Sequence, residues 1–131
     1  MLNTLTVAIG GAIGSVARYW VSGIVAERMV GRLFPWNTLA VNVTGSFIIG
    51  VLAAMTLAEG RVPSSWRPAT VNFLMYGFCG GYTTFSSFSL QTLNLINDRE
   101  WLFAGANILV SVVTCLVGVW LGYVIGQLLN R

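Results

Sequence analysis

The stretch GGYTTFSSFS, residues 80–89, interrupts a long apolar block with a pair of glycines and a run of hydroxyl-bearing side chains. Each glycine destabilises a helix by about 1 kcal/mol relative to alanine, and the β-branched threonines add a smaller cost. The stretch therefore predicts a broken helix, with the break near Gly80–Thr83. A helix that resumes after the break would place Phe85 and Phe88, three residues apart, on one face.

The chain on both sides of this stretch is too apolar for a water-soluble domain. Of its 131 residues, 56% are hydrophobic and 8% are charged, whereas a soluble domain carries about 25% charged residues. A helix that crosses a bilayer needs about 20 mostly apolar residues. Four blocks meet this length: residues 5–26, 37–58, 69–96 and 102–128. The sequence predicts an all-α membrane protein with four transmembrane helices, forming a single integral membrane domain over residues 1–131.

The arginines indicate no preferred orientation. Four spans place both termini and the 59–68 loop on one side of the membrane, and cytoplasmic loops are normally enriched in Lys and Arg. Each side would carry three arginines: Arg61, Arg67 and Arg131 with the termini, and Arg28, Arg32 and Arg99 opposite. The balance is either the noise of a small count or the mark of a chain that inserts in both orientations and pairs as an antiparallel homodimer.

Small residues recur at helical spacing, which predicts close helix packing. Gly10 and Gly14 lie about one turn apart in the first block, and Gly118, Gly122 and Gly126 form two GxxxG steps in the fourth. In lipid, such residues let helix backbones approach and gain dispersion contacts. The spacing is compatible with packing within the chain and with packing between chains.

The composition argues against several function classes. The chain has no histidine, and no block contains an acidic residue, so neither a nucleophile–base pair nor the usual proton relay of a coupled transporter can be assembled. Cys79 and Cys115 are far apart in sequence, which argues against a redox pair or a thiolate metal site. A net charge of +3 spread over both faces leaves no basic patch for nucleic acid. We therefore expect neither an enzyme nor a nucleic-acid-binding protein.

A few polar side chains remain inside the blocks. Arg18 either snorkels to the interface or faces a water-filled vestibule where it attracts anions. Asn42 needs partners in lipid, so it either bonds a neighbouring helix or donates to a permeant species. Asn107, Ser111 and Cys115 recur every four residues and share one helix face.

The residues after the predicted break suit a small anion. The positive edge of an aromatic ring attracts an anion weakly, and hydroxyl donors such as those of Thr84 and Ser87 surround Phe85 and Phe88 in sequence. Weak binding without a full charge suits conduction. The alternative is that the two rings simply pack, as most membrane phenylalanines do. Carbonyls freed by the break would suit a hard cation such as Na⁺.

Three motifs resemble one family of membrane proteins. GGAIGSVARY (residues 10–19), NTLAVNVTGSFIIG (37–50) and, most specifically, GFCGGYTTFSSFS (77–89) are similar to the Fluc (CrcB) fluoride ion channels. Membership implies a dual-topology antiparallel homodimer with two pores in a bacterial inner (plasma) membrane. It also implies passive export of fluoride that entered the cell as hydrogen fluoride, which lowers fluoride toxicity.

The same resemblance implies residue roles. The backbone carbonyls of Gly80 and Thr83 would hold a structural Na⁺ at the dimer centre. Phe85 and Phe88 would face the ion, and Asn42 would supply the amide of the pore.

The rest of the ion pathway would take in Thr84, Ser87 and Arg18, with a polar track on the fourth span at Ser111. Departures from the family pattern are small. Ser87 stands where Thr is common, Gln91 stands where many relatives have Glu, and Cys115 is a weaker donor than the hydroxyl it replaces.

Two other function classes fit parts of the sequence. A dual-topology small-molecule antiporter also has four short spans, but it would want a carboxylate in its first span, where this chain has Arg18. A non-conducting subunit that only packs against a partner needs no ion site, so it does not explain Asn42 together with residues 80–89.

Overall fold

A computed structural model describes residues 2–57 and 67–129, and every regular element in these ranges is a helix. The elements in chain order are α1 (Leu2–Arg28), α2 (Trp36–Leu57), α3 (Arg67–Val71), a π-helix (Asn72–Cys79), α4 (Gly80–Tyr82), α5 (Phe85–Asn97) and α6 (Trp101–Leu129). Residues 67–97, from α3 to α5, are called the broken segment below. Ala58, Arg61 and Arg131, used in the predicted spans and orientation, lie outside the described residues.

Three helices are long and apolar enough to cross a membrane: Asn3–Arg28, Trp36–Thr56 and Trp101–Leu129. They correspond to the first, second and fourth blocks predicted from the sequence, and with only helices among the described elements they support an all-α membrane protein. The third block is the broken segment, which is divided into helical pieces on either side of residues 83 and 84.

Glycines bring α2 and α6 into close contact. A Cβ at Gly122 would overlap the carbonyl oxygen of Phe47, and one at Gly118 would lie 3.2 Å from the carbonyl oxygen of Val43. Gly50 faces α6 in the same way. The GxxxG face predicted in the fourth block therefore packs within the chain.

α1 packs against the first half of the broken segment through a second set of glycines. A Cβ at Gly14 would overlap the carbonyl oxygen of Phe78, and one at Gly81 would overlap the carbonyl oxygen of Gly11. In lipid, such close approach replaces side-chain interdigitation and gains dispersion contacts between backbones. This contact holds α4, the last helical piece before residues 83 and 84, against α1.

The helix breaks at two threonines. α4 ends at Tyr82, after which Thr83 (φ −78°, ψ 159°) and Thr84 (φ −149°, ψ 109°) are extended. The predicted break near Gly80–Thr83 is confirmed at its C-terminal edge, Thr83, but it does not extend to Gly80. Gly80 is helical (φ −63°, ψ −37°), and Gly81 serves the contact with α1, whereas β-branched residues favour extended backbone.

A tight turn joins α5 to α6 and sets them side by side. The amide of Glu100 donates to the carbonyl of Leu95 at 2.8 Å, and the amide of Arg99 donates to the carbonyl of Ile96 at 3.0 Å. This is the Schellman arrangement, in which a left-handed residue ends the helix. Arg99 occupies that position with φ 64°, where glycine is usual.

Candidate functional site

The break is held by a side chain from another helix. Asn42 of α2 donates from Nδ2 to the carbonyl of Thr84 at 3.0 Å, and its Oδ1 accepts from the amide of Thr84 at 2.7 Å. The side-chain amide thus pairs with both polar groups of one backbone residue, as a neighbouring peptide would. Asn42 therefore bonds the neighbouring broken segment, and one Nδ2 hydrogen remains uncommitted for a second partner.

This pairing changes the hydrogen bonding of Gly80. In a continuous helix the amide of Thr84 would donate to the carbonyl of Gly80. Here that amide is directed to Asn42, and the amide of Thr83 is directed to the carbonyl of Cys79 at 3.0 Å. The Gly80 carbonyl is left without its helical donor.

The carbonyl of Thr83 accepts a hydrogen bond from a side chain of α1. The guanidinium of Arg18 donates from one terminal nitrogen to this oxygen at 3.4 Å, a long hydrogen bond. A carbonyl oxygen has two lone pairs, so one remains available. The hydroxyl of Thr83 bonds the carbonyl of Cys79 at 2.9 Å and therefore points back along α4.

Thr84 caps the helix that follows the break. Its Oγ1 accepts from the amide of Ser87 at 3.2 Å, which makes Thr84 the N-cap of α5. The same hydroxyl donates to Oγ of Ser87 at 3.0 Å and lies 3.2 Å from Oγ of Ser86. Because the Thr84 hydrogen is committed to Ser87, the hydroxyl hydrogen of Ser87 stays available to another acceptor.

Phe85 and Phe88 lie on one face of α5, as predicted. Their ring centroids are 5.3 Å apart, with ring planes inclined at 45°. Phe85 is 77% exposed, which is unusual for a ring whose only role is to fill the interior of its own chain. The two rings present edges as well as faces to the space beside them.

Most of the predicted site residues line a single cavity of about 430 Å³ between α2, the broken segment and α6. Its lining includes both proposed cation residues, both phenylalanines, the amide of α2 and two of the three polar residues of α6, namely Asn42, Gly80, Thr83, Thr84, Phe85, Phe88, Ser111 and Cys115. The fold thus brings most of the site residues predicted from the sequence to one cavity.

Arg18 and Ser87 line a second cavity, of about 530 Å³, beside α1 and α2. Its lining is rich in hydroxyl and amide groups, and Thr84 borders both cavities. Arg18 therefore faces a polar space next to the break. Of the two readings of Arg18 from sequence, this geometry favours the one in which it faces a vestibule.

The polar track on α6 is only partly on the cavity. Ser111 lines it, but Asn107 is 2% exposed and donates to the hydroxyl of Thr92 at 2.8 Å. Ser111 in turn donates to Oδ1 of Asn107 at 3.3 Å, and Thr92 donates to the carbonyl of Phe88 at 2.8 Å. Asn107 therefore ties α5 to α6 and supports the turn of helix that carries Phe88.

Several contacts at the site were not predicted. The hydroxyls of Thr44 and Tyr82 lie 2.9 Å apart, which links α2 to the end of α4. Gln91 has a buried Oε1 with no hydrogen-bond partner among the described residues. A hydroxyl or amide inside an apolar block signals that a partner must exist, but only the tertiary arrangement identifies it.

Comparison with known proteins identifies the family. Residues 5–123 match the family model described as "CrcB-like protein, Camphor Resistance (CrcB)". A protein from Rhodospirillum rubrum, named "Fluoride-specific ion channel FluC", is 54% identical over 99% of this chain and 98% of its own length. A protein of the same name from Paramagnetospirillum magneticum is 53% identical over the whole of both chains.

These relatives carry the name of an ion channel, which confirms the expectation that the chain is not an enzyme. The match extends over the first, second and fourth blocks and the broken segment between them. The chain belongs to the CrcB family.

Proposed function

We propose that the chain is a fluoride-selective ion channel that passively exports fluoride across a bacterial inner membrane. The observation that carries the proposal is the site at the break, where the exposed ring of Phe85 and the half-buried ring of Phe88 lie beside hydroxyl and amide donors from three elements. The printed names of relatives that match nearly the whole chain support fluoride as the ion.

The donors at the site suit a small anion that must also leave. The uncommitted hydrogen of Asn42 can replace water around fluoride in the first cavity, where the ring edges of Phe85 and Phe88 add a weak attraction, and that of Ser87 can do so in the second. None of these groups carries a full charge, so binding stays weak enough for release. Arg18 carries a full charge and lies in the neighbouring polar cavity, where it would raise the local anion concentration.

The working unit would be an antiparallel homodimer with two pores, each chain crossing the membrane four times. The broken segment would be the third crossing, since its two helical parts together match the predicted block. Irregular backbone at membrane depth is tolerated where it is buried in protein or lines a cavity. A partner chain over the exposed Phe85 and Gly80 would provide that burial.

The backbone at the break can accept a sodium ion. The carbonyl of Gly80 has lost its helical donor, and that of Thr83 keeps one lone pair beside its long bond to Arg18. Two such carbonyls from each chain of a symmetric dimer would supply four hard oxygen ligands, and the ion would neutralise their converging dipoles. The positively charged guanidinium of Arg18 would repel a cation bound to the Thr83 carbonyl. The distance between them would therefore influence the affinity of the site for sodium.

Fluoride efflux from liposomes, followed with a fluoride electrode, tests the proposal. The parent chain should release fluoride rapidly, independently of a proton gradient, and chloride should not replace it. Efflux that requires proton exchange would favour the antiporter, and the absence of flux from monodisperse protein would favour a packing subunit.

Dual topology is tested separately with C-terminal reporters that are each active on only one side of the membrane. The unmodified chain should give partial signal with both reporters, because its arginines are balanced. Two lysines added to the 59–68 loop should bias the signal strongly. A C-terminus found on one side only in the unmodified chain would exclude dual topology while leaving the channel activity untouched.

A further inference from the structure

We propose that Asn42 is a positioning residue: its side-chain amide holds the Thr84 peptide away from Gly80 and thereby creates the free carbonyl at the break. In this role Asn42 acts on the cation site through the backbone, in addition to any contact with the permeating anion. The inference rests on the proposed function for the identity of the cation.

Asn42 and Thr84 are paired through two hydrogen bonds of opposite direction. Asn42 binds Thr84 in both directions, at 3.0 Å through Nδ2 and at 2.7 Å through Oδ1. Thr84 is 8% exposed, so its backbone groups depend mainly on partners within the protein. A single residue of α2 therefore satisfies both polar groups that the break exposes at this position.

The side chain of Asn42 and the carbonyl of Gly80 compete for the amide of Thr84. In an uninterrupted helix this N–H would bond to the carbonyl of Gly80, and the two acceptors cannot both receive it in good geometry. Inside a membrane an unpaired N–H is costly. If the Asn42 side chain is removed, the amide should return to Gly80, which extends α4 and removes a cation ligand.

Asparagine is suited to this pairing by its length and its functional group. The pairing needs a donor and an acceptor on one planar group, at the reach of a single methylene from the backbone. Glutamine keeps the amide but lengthens the reach. Leucine keeps the volume and has neither group.

The test measures sodium binding apart from ion flux. Purified full-length protein in detergent is heated at a series of sodium concentrations, with N-methyl-D-glucamine replacing sodium at constant ionic strength, and the melting temperature of the dimer is recorded. The parent should gain stability with sodium, because a ligand that binds only the folded state stabilises it. The sodium concentration at half of the maximal gain is the midpoint compared below.

Asn42→Leu should raise this midpoint about tenfold or more, since two hydrogen bonds that shape the ligand are lost. Asn42→Gln should restore part of the shift. If Asn42→Leu yields no dimer, Asn42→Ser replaces it under the same criterion, because serine lacks the amide and takes less space.

Ser111→Ala provides the matched control. Ser111 lines the same cavity, and among the described residues its side chain bonds Asn107. Its loss should lower fluoride flux and leave the sodium midpoint at the parental value.

A parental sodium midpoint in Asn42→Leu, with reduced flux, would overturn the positioning role and leave Asn42 as an anion ligand only. A parent whose melting temperature does not respond to sodium would overturn it as well. Failure of the proposed function is a distinct result: the parent would show no fluoride flux, while the sodium midpoints of the variants could still separate as expected.

Discussion

Two regions of the molecule pack through glycines but differ in the continuity of their backbones. In the α2–α6 pair, Gly122 and Gly50 bring two unbroken helices together. In the broken segment, Gly81 brings the chain equally close to α1, yet the helix stops within a few residues of that contact. Close packing alone therefore does not decide whether a helix continues.

The difference lies in the polar side chains that reach each region. The α2–α6 contact is made by backbone carbonyls facing glycines. The break receives Arg18 from α1 and Asn42 from α2, which bond the carbonyls of Thr83 and Thr84. A helix can end inside the protein where such groups replace its lost hydrogen bonds. The regular pair thus acts as a frame that holds Asn42 in reach of the break.

The largest effect is expected in the frame. Gly122→Ala places a Cβ against the carbonyl of Phe47 and 3.1 Å from the amide of Val51. Since backbone atoms cannot turn aside, the helices must separate, and we expect a loss of about 3 kcal/mol or more. The measurement is the temperature at which the purified protein loses its size-exclusion peak.

Gly105→Ala is the matched control for that variant, in the same helix. A Cβ there has open space, with nothing within 4 Å, so alanine should be neutral or stabilise the helix by about 1 kcal/mol. Equal destabilisation by both substitutions would show that helix propensity, not the α2 contact, governs α6.

At the break, Gly80→Val should separate folding from assembly. Within the chain a Cβ at Gly80 meets only the carbonyl oxygen of Met75, at 3.9 Å, so the monomer has room for a side chain. We expect the variant to fold but to lose the dimer and its response to sodium, because the valine would lie in the proposed interface.

Thr83→Ala is the comparison for this variant, since it leaves the Thr83 carbonyl in place and should retain sodium binding. The readouts are the mass of the detergent-solubilised particle and its melting temperature with and without sodium. Dimers of Gly80→Val with parental sodium response would place the partner, or the cation, elsewhere.

The rings give the next effect in size. Phe85→Leu keeps most of the volume but removes the ring edge, so fluoride flux per dimer should fall about tenfold or more if the edge stands in for water. Phe88→Leu should behave similarly, and tyrosine at position 85 should be milder. Expression and dimer size should stay normal.

Phe103→Leu is the control for the same exchange, at a half-buried position in α6 that does not line the cavity. Its flux should match that of the parent. Near-parental flux from Phe85→Leu and Phe88→Leu would mean that the rings only pack and that the ion passes elsewhere.

Asn42→Asp should also reduce flux. An aspartate can still accept from the amide of Thr84, but it cannot donate to its carbonyl, and it adds a charge that repels fluoride. Parental flux in liposomes from this variant would contradict the pore role of Asn42, whereas the positioning role is tested by the sodium midpoint of Asn42→Leu.

The frame and the break also differ in how far sequence alone could predict them. The GxxxG spacing places the glycines of α6 on one helix face, whatever that helix packs against. In the structure this face contacts α2. Helix propensity predicts the break within a few residues but extends it to the glycines, because propensity does not show that Gly81 is needed for contact with α1. The pairing of Asn42 with Thr84 joins residues 42 positions apart, and no local pattern reports such a contact.

The smallest effect concerns the turn between α5 and α6, next to the frame. Arg99 has φ 64°, a left-handed conformation that costs an ordinary residue about 1 kcal/mol relative to glycine. Arg99→Gly should therefore raise the melting temperature slightly, since the Schellman bonds of the turn are made by backbone atoms. The same substitution removes one arginine from its side of the membrane, so the balance of reporter signals should move as well. Arg28→Gln, at the helical end of α1, removes the same charge without relieving strain and should shift the reporters alone. A stability gain in both variants would trace the effect to charge instead of backbone conformation, and no gain in Arg99→Gly would show that the turn holds arginine without strain.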